Sequence, residues 1–332
     1  MIDSPILPTF NDQHHAQIPP VPAGEPRPTW SVLIPTYNCG DYLREALGSV
    51  LRQDAGPEEM QIIVVDDHST EDDPESVVRE LGGDRAEFIR QERNVGKVRN
   101  YETGLKLSRG RLIHQLHGDD RVKPGFYLHM AELFEECPRA GAAFCRSEYI
   151  DGTGDVQGKT TRERSEYGYL SGWLDKILVE QRIQTPSIVL KREVYEHLGG
   201  FDRRLDSSED WEMWIRVACF YPFAFQPLAL AQYRSWDENN TSRTLRSGER
   251  IRTLHRMVNI VDTYVPSEVR DRVSQQRRAS VAHQLIGFIP RLVAERRFEV
   301  LTKLYPHILL SDWSPRTIYH MLYFTVNAES LL

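Results

Sequence analysis

The sequence lacks the marks of a nucleic-acid-binding, disulfide-stabilised or membrane-spanning protein. Its 332 residues include 48 acidic and 41 basic side chains, a net charge of -7, so no basic excess supports contact with a nucleic acid. The four cysteines have no CxxC spacing, which argues against a zinc site and a disulfide framework. No apolar run approaches the ~18 residues of a spanning helix, and the N-terminus has no signal-peptide pattern. A globular, cytoplasmic protein is expected.

The remaining composition predicts three parts. Residues 1–28 are rich in proline among polar residues, which predicts a flexible leader. In residues 29–242 short apolar runs alternate with helical patterns, and the first four runs are residues 30–34, 61–65, 87–89 and 111–116. Four β-then-α units in a row predict a Rossmann-like, mostly parallel sheet flanked by helices. From residue 243 to 332 only helical patterns remain, and they predict a C-terminal helical subdomain.

One stretch organises the chain: Leu116-His117-Gly118-Asp119-Asp120, at the end of the fourth apolar run. Two carboxylates directly after a strand lie at the carboxyl edge of the sheet, where open α/β sheets bind ligands. Because adjacent carboxylates repel each other, a divalent cation that carries substrate phosphates is the expected occupant. The alternative is that the acidic pair only caps the following helix.

Three further polar clusters follow predicted strands or precede a helix, at residues 35–38, 66–69 and 94–100. In a wound parallel sheet these loops converge on one edge and form a single cleft. Neither a GxGxxG fingerprint after a strand nor a GxxxxGK[ST] loop is present. Metal and arginine must therefore hold any phosphate that binds in the cleft.

The side chains of these clusters predict a nucleotide diphosphate as ligand. Tyr37 offers a stacking face, Asp67 an acceptor for a ring N–H, and Arg99 a cation for phosphate. Asp119 and Asp120 complete the set as a metal site. Each side chain taken singly also has a structural interpretation, as a buried aromatic, a helix cap or a solvated helix residue.

The order of these motifs resembles that of the family 2 glycosyltransferases with the GT-A fold. The resemblance covers roughly residues 30–235, and its matching stretches are residues 31–38, 63–69, 94–100, 117–120, 200–202 and 209–211. It implies an inverting transferase that moves a sugar from a nucleotide diphosphate sugar, a UDP-sugar first, to a hydroxyl group. The implied acceptor is a glycan, a lipid-linked molecule or another cell-envelope component.

The resemblance also implies roles for individual residues. Donor binding falls to Pro35, Thr36, Tyr37, Asn38, Asp67, Arg99, His117 and Asp119. Asp119 and Asp120 are implied as ligands of Mg²⁺ or Mn²⁺, and Asp210 as the catalytic base. The chain departs from the family pattern at His117, where many members have Asp. A neutral histidine can donate to ribose or ligate a metal, but it removes one negative charge.

Alternatives remain open for the function and for two features. A sugar nucleotidyltransferase requires a glycine-rich loop with a lysine near the first strand, which residues 35–38 do not provide, and a non-catalytic nucleotide-sugar-binding module is hinted at only by His117. Asp210 stands near the start of a predicted helix, so the helix dipole alone could explain it. The arginines from Arg243 to Arg297 offer a peripheral contact with anionic lipid at the cytoplasmic face of a membrane, with a solvated face or a dimer rim as the alternative.

Overall fold

The computed structural model describes residues 13–235, 244 and 247–328. These residues divide into two compact units, one of residues 13–171 with 182–235, the other of residues 172–181 with 247–328. Residues 1–12 of the predicted leader, and the predicted boundary at residues 242 and 243, lie outside the described residues. The predicted domain limits therefore stay a prediction.

The first unit is built on one ten-stranded sheet. Its strands are β1 (Trp30–Thr36), β2 (Met60–Asp66), β3 (Ala86–Arg90), β4 (Leu112–Gln115), β5 (Arg121–Val122), β6 (Ala142–Ile150), β7 (Val156–Lys159), β8 (Gly168–Tyr169), β9 (Ile188–Lys191) and β10 (Phe223–Arg234). Its helices are α1 (Gly40–Leu51), α2 (Pro74–Gly82), α3 (Lys97–Leu107), α4 (Phe126–Glu136), α6 (Arg192–Leu198) and α7 (Glu209–Phe220). Two short 3₁₀ helices, Gly83–Arg85 and Thr185–Ser187, precede β3 and β9.

The strand order is β3-β2-β1-β4-β9-β6-β10-β5, with β7 and β8 pairing at β6 and β10. β3, β2, β1 and β4 run parallel, and β9 is antiparallel to both β4 and β6. β6 and β10, which pair in parallel, therefore point the same way as β4. The predicted mostly parallel α/β sheet is confirmed, and the carboxyl ends of β1, β2, β4, β6 and β10 lie at one edge.

The core explains why the apolar runs form strands. All seven residues of β1 are buried, as expected for a parallel strand covered on both faces. On one side α1 packs Leu43, Leu47 and Val50 into the same hydrophobic cluster. On the other side α3 comes close to β1 at Gly104, where a Cβ would lie 1.9 Å from a methyl group of Leu33. This close packing holds the last turns of α3 against the face of β1.

Part of the segment predicted as a flexible leader packs against the first unit. Ala16 and Ile18 are buried, and Gly200 N donates to Ala16 O at 2.9 Å. Arg192 Nη2 donates to Pro19 O at 2.9 Å. Composition pointed to flexibility because the segment has no core of its own, whereas distant parts of the fold supply its partners.

The second unit is helical. It consists of α5 (Trp173–Val179), α8 (Glu249–Val261), α9 (Ser267–Ile286), α10 (Ile289–Ala294), α11 (Phe298–Ser311) and α12 (Pro315–Val326). The predicted helices of the C-terminal part are confirmed. α5 comes from the middle of the chain and is joined to α9 by a two-bond ion pair between Asp175 and Arg272. Within the described part of the chain, no helix has both the length and the apolar character that crossing a bilayer requires.

Candidate active site

The segment that follows β4 stays close to β1. Gly118 N donates to Pro35 O at 3.0 Å. A Cβ on Gly118 would lie 3.0 Å from Thr36 Oγ1, so a larger residue would fit only if this side chain shifted by a few tenths of an ångström. The glycine therefore lets Asp119 and Asp120 lie at the carboxyl edge, beside the end of β1.

His117, Asp119 and Asp120 each offer a ligand atom within 4.8 Å of the others. His117 Nδ1 lies 4.0 Å from Asp120 Oδ2. Asp120 Oδ1 accepts the backbone N–H of Arg234 at 2.9 Å, while the buried Oδ2 accepts no hydrogen bond from the residues that the structure describes. Burial, together with the charge of Asp119, raises the pKa of Asp120 well above its ordinary value. A cation bound here would satisfy this oxygen.

Arg234, at the end of β10, holds the acidic segment in place. Its buried side chain donates from Nε to Asp119 O at 2.9 Å and from Nη2 to Glu45 Oε2 at 2.7 Å. The guanidinium also lies over the ring of Tyr42, 4.3 Å from the ring centre. These contacts fix the backbone of the Asp119-Asp120 pair from β10 and α1.

A buried tyrosine supports the histidine of this cluster. The rings of Tyr101 and His117 stack with centroids 5.4 Å apart and planes at 19°. Gln115 Nε2 lies 3.2 Å from His117 Nε2. Burial lowers the pKa of His117, partly opposed by the negative charges of Asp119 and Glu209. The imidazole is therefore neutral at neutral pH, the form that can ligate a metal.

The charges of four carboxylates affect the pKa of the Tyr101 hydroxyl. Burial raises the pKa of Tyr101 well above its ordinary value, and the charges of Glu209, Asp210, Asp119 and Asp120 raise it further. The structure thus brings the predicted catalytic base, Asp210, to the same place as the predicted metal ligands. Tyr101 stacks on His117 and lies one helical turn after Lys97, which pairs with Glu209, so α3 links two acidic pairs about 90 residues apart in the chain.

Lys97 and Tyr101 are the site residues that the sequence predictions missed. Lys97 Nζ forms an ion pair with Glu209 Oε1 at 2.7 Å, and the Glu209 side chain is almost fully buried. The spacing of four residues places Lys97 and Tyr101 on one face of α3, which was the signal available in the sequence. Arg99, the predicted phosphate contact, is an exposed residue two positions after Lys97 and therefore on a different face. Its role stays a prediction.

The acidic pair at the end of β2 is held by protein donors. Asp66 accepts hydrogen bonds from Ser69 N and Ser69 Oγ on its carboxylate oxygens. Asp67 accepts from Val95 N at 2.7 Å on Oδ1 and from Gly96 N at 3.0 Å on Oδ2. Burial raises the pKa of Asp67, and these two bonds oppose the rise. Asp67 thus ties the loop before α3 to the end of β2, and its contact with a nucleobase stays a prediction.

The loop after β1 contains one residue with a structural role, Asn38, and one residue that is partly exposed, Tyr37. Asn38 adopts a positive φ of 48° and its Oδ1 accepts the backbone N–H of Thr70 at 2.9 Å, which joins the β1 and β2 loops. Tyr37 is 39% exposed, so part of its ring is open to a ligand. Pro35 and Thr36 are buried at the end of β1.

Asp210 lies in the first turn of α7 and not at its capping position. The helix begins at Glu209, and the N-cap residue is Ser208, with a φ of 61° and no side-chain capping bond. Asp210 Oδ1 accepts the N–H of Trp211 at 2.7 Å. The helix dipole favours a carboxylate here, but the N-cap role itself belongs to Ser208.

Comparison with known proteins supports this arrangement of strands and loops. An uncharacterized protein of Mycobacterium tuberculosis is 28% identical over 267 residues, which cover 74% of this chain and 79% of the relative. Among solved structures, S. aureus TarS residues 1–349 with UDP has a TM-score of 0.61 at 16% identity, covering 90% of this chain and 87% of that one. TarS 1–349 has also been solved with UDP-GlcNAc. This chain spans 52% of a longer TarS chain.

A second solved structure shares the fold. The mannosyltransferase PcManGT of Pyrobaculum calidifontis, in complex with GDP-Man and Mn²⁺, has a TM-score of 0.52 at 16% identity and covers 96% of this chain and 91% of its own. Residues 31–199, half of the chain, match the family described as "Glycosyl transferase family 2". The predicted GT-A fold and the predicted family are both confirmed. The chain belongs to glycosyl transferase family 2.

Proposed function

We propose that the chain is an inverting glycosyltransferase that uses a nucleotide diphosphate sugar, a UDP-sugar first, and a hydroxyl acceptor. The observation that carries this proposal is a connected cluster at the carboxyl edge of the sheet. His117 lies with Asp119 and Asp120 and stacks on Tyr101, while Lys97, one helical turn before Tyr101, pairs with Glu209, the neighbour of Asp210. Solved structures of the same fold contain UDP, UDP-GlcNAc or GDP-Man, which supports a nucleotide-sugar donor. The acceptor is proposed to be a glycan, a lipid-linked molecule or another cell-envelope component, reached from the cytoplasm.

Asp210 is the proposed catalytic base. It takes the proton of the acceptor hydroxyl as the oxygen attacks the anomeric carbon. A single displacement inverts that carbon, through an oxocarbenium-like transition state of the kind known from glycoside hydrolysis. Glu209 is the less suitable base because it is nearly buried and its carboxylate is paired with Lys97.

The acidic cluster fits a divalent metal, proposed as Mg²⁺ or Mn²⁺. Oxygen ligands suit these hard cations, and Asp120 Oδ2 is a buried oxygen that accepts no hydrogen bond from the described residues. Asp119, Asp120 and His117 would hold the metal, which when bound supplies Lewis-acid stabilisation of the departing diphosphate. Arg234 keeps the backbone of Asp119 in place for this role.

Residues of the loops are proposed to supply the remaining contacts with the donor. Pro35, Tyr37 and Asp67 are proposed to hold the nucleobase, with the exposed part of the Tyr37 ring as the stacking surface. Thr36 and Asn38 shape that loop from β1. Arg99 is proposed to face the diphosphate, as an exposed cation in the first turn of α3.

The test is a screen in two stages. Thermal shifts with nucleoside diphosphates and their sugars, with Mg²⁺ or Mn²⁺, identify the donor base. Release of nucleoside diphosphate is then measured with hydroxyl acceptors, and the anomeric configuration of the product is read by NMR. Inverted product supports the proposal. Pyrophosphate release from a nucleoside triphosphate would instead identify a nucleotidyltransferase, and donor binding without turnover on any acceptor would identify a binding module.

A further inference from the structure

The helix α12 turns its apolar side outward. Tyr319, Leu322, Tyr323 and Val326 are 62%, 57%, 41% and 81% exposed, respectively. Their spacing of three, four and seven residues places them on one face of the helix, called here the α12 stripe. The one buried residue of α12 is the polar Thr317. A surface helix of a soluble protein shows the reverse arrangement, so the α12 stripe is an interaction surface.

Polar contacts, and not fraying, hold α12 in this orientation. Ser314 caps the helix, since its Oγ accepts the N–H of Thr317 at 3.2 Å, and proline stands at the first helical position. Near the other end, the hydroxyl groups of Tyr305 and Thr325 lie 3.0 Å apart and join α12 to α11. The apolar side is therefore presented outward by a helix that is fixed at both ends.

The charge of the second unit indicates what the stripe meets. The described residues of this unit carry 13 lysines and arginines against 9 aspartates and glutamates, a net charge of +4, although the whole chain has a net charge of -7. α12 contains no acidic residue. A second copy of the chain would bring the same positive charge, whereas an anionic bilayer surface is complementary to it.

The arginines alone do not explain a membrane contact. Several of those predicted to meet lipid are paired within the unit: Arg252 with Glu249, Arg272 with Asp175, and Arg277 with Asp262. Arg243 and Arg246 lie outside the described residues. Charge can therefore attract the unit to an anionic surface, while apolar side chains must supply the insertion.

We propose that the α12 stripe docks the enzyme on an anionic lipid bilayer, with α12 lying in the plane of the interface. Tyrosines favour the headgroup level, and Trp313, 69% exposed directly before the helix, adds a second kind of interfacial anchor. The 12 residues of α12 span roughly 18 Å, too short to cross the bilayer. The inference rests on the proposed function only for its purpose, which is to bring the site to a lipid-linked acceptor.

Flotation of the full chain with vesicles tests the proposal. The vesicles are phosphatidylcholine alone or phosphatidylcholine with about 30 mol% phosphatidylglycerol. We expect flotation with the anionic vesicles only, and a roughly tenfold lower bound fraction for the Leu322→Ser variant, since one interfacial leucine is lost. Leu128→Ser is the matched control, because Leu128 is 61% exposed on α4 of the first unit, and it should float like the wild type.

Three outcomes would overturn the proposal: no flotation, equal flotation with neutral vesicles, or flotation that Leu322→Ser does not reduce. A concentration-dependent dimer in light scattering that Leu322→Ser abolishes, without flotation, would instead identify a second copy as the occupant. Melting temperatures of both variants check that they fold. Nucleoside diphosphate release with a soluble acceptor is measured in parallel and should be equal in the wild type and Leu322→Ser. Flotation without any turnover would refute the proposed function and leave this surface intact.

Discussion

The dipeptide Asp-Asp occurs at the end of β2 and in the segment that follows β4, in two different environments. β2 ends in the Asp66-Asp67 pair and β4 leads to the Asp119-Asp120 pair, with β1 between the two strands. In the first pair all four side-chain oxygens accept hydrogen bonds from backbone or hydroxyl donors. In the second pair Asp120 Oδ2 is buried and accepts none from the part of the chain that the structure describes.

The difference separates an acidic pair whose oxygens are all bonded within the fold from a pair with one unbonded, buried acceptor oxygen. The donors for Asp66 and Asp67 come from the loops after β2 and before α3, so the first pair builds the cleft wall. At the second pair Arg234 fixes the backbone but leaves an acceptor oxygen open. Burial of this oxygen without a hydrogen-bond donor lowers stability where a cation is proposed to bind.

The largest expected effect is on turnover. Asp119→Ala removes a proposed metal ligand, and we expect a roughly 1,000-fold fall in turnover, since Lewis-acid stabilisation contributes several kcal/mol. Asp67→Asn should lower turnover per folded molecule by less than about tenfold and raise KM, since it perturbs a wall of the cleft. Rates of nucleoside diphosphate release, corrected for the folded fraction, give both numbers. Equal losses in the two variants would erase the distinction between the pairs.

Glu209-Asp210 is a third acidic pair, and it contains the proposed catalytic base. Asp210→Asn keeps the shape of the side chain but removes the proton acceptor, so turnover should fall by roughly 100-fold or more while donor affinity barely moves. Glu209→Gln breaks the ion pair with Lys97 and keeps the proposed base, so its loss should be smaller. Turnover, melting temperature and donor Kd are measured for both. Wild-type turnover in Asp210→Asn would remove this residue from the mechanism and direct the search to Glu209.

Stability should change in opposite directions in the two strand-end pairs. Asp120→Asn, measured in chelator, should raise the free energy of unfolding by roughly 1 kcal/mol or more. Asp120 Oδ2 is buried and accepts no hydrogen bond from the described residues, so Asn removes a buried charge without breaking a bond at that atom. Asp67→Asn should lower the free energy of unfolding by about 1–3 kcal/mol, since Val95 N or Gly96 N loses its acceptor.

Urea unfolding with and without Mn²⁺ provides the control. The cation should stabilise the wild type and not Asp120→Asn, because only the wild type binds it tightly. A loss of stability in Asp120→Asn in chelator would show that Oδ2 has a structural partner after all.

β4 also differs from β2 in carrying a buried histidine. His114 Nε2 donates to Pro186 O at 3.0 Å, so Nδ1 accepts from the Tyr127 hydroxyl at 3.1 Å, and burial lowers the pKa of His114 to about 4. The unfolded chain binds a proton more readily, so stability is present above the ordinary pKa of 6.5 and is lost as pH falls from 6.5 towards 4. Between pH 7.5 and 5 the loss should be about 2 kcal/mol.

Urea unfolding at several pH values measures this slope. His114→Gln cannot titrate in that range, so its free energy of unfolding should vary less with pH than that of the wild type. Parallel pH profiles for the two proteins would mean that another group sets the acid sensitivity.

The sequence predicts what depends on local pattern. Continuous apolar runs located β1 and β2, because strands covered on both faces are apolar almost throughout, and shorter apolar stretches located β3 and β4. The parallel direction of these strands then follows from the helices between them. The position of Asp119 and Asp120 at the carboxyl edge follows from this strand direction.

What depends on tertiary partners could not be predicted. The antiparallel β9 between β4 and β6, and the assignment of α5 to the second unit, are set by contacts between distant residues. The difference between Asp67 and Asp120 is of the same kind, since it depends on whether Val95, Gly96 or another donor reaches the carboxylate. The sequence does not reveal the role of Lys97, because its ion-pair partner, Glu209, is more than 100 residues away in the chain.

The most direct test of the account is whether the Asp119-Asp120 pair holds a divalent cation with the donor diphosphate. Mn²⁺ titration followed by electron paramagnetic resonance, with UDP or the nucleotide found in the donor screen, measures this for the wild type, Asp119→Asn and Asp67→Asn. We expect one nucleotide-dependent Mn²⁺ site in the wild type and, at saturating nucleotide, in Asp67→Asn, the loss of this site in Asp119→Asn, and no turnover in excess chelator. Full turnover in chelator, or an unchanged Mn²⁺ site in Asp119→Asn, would contradict it.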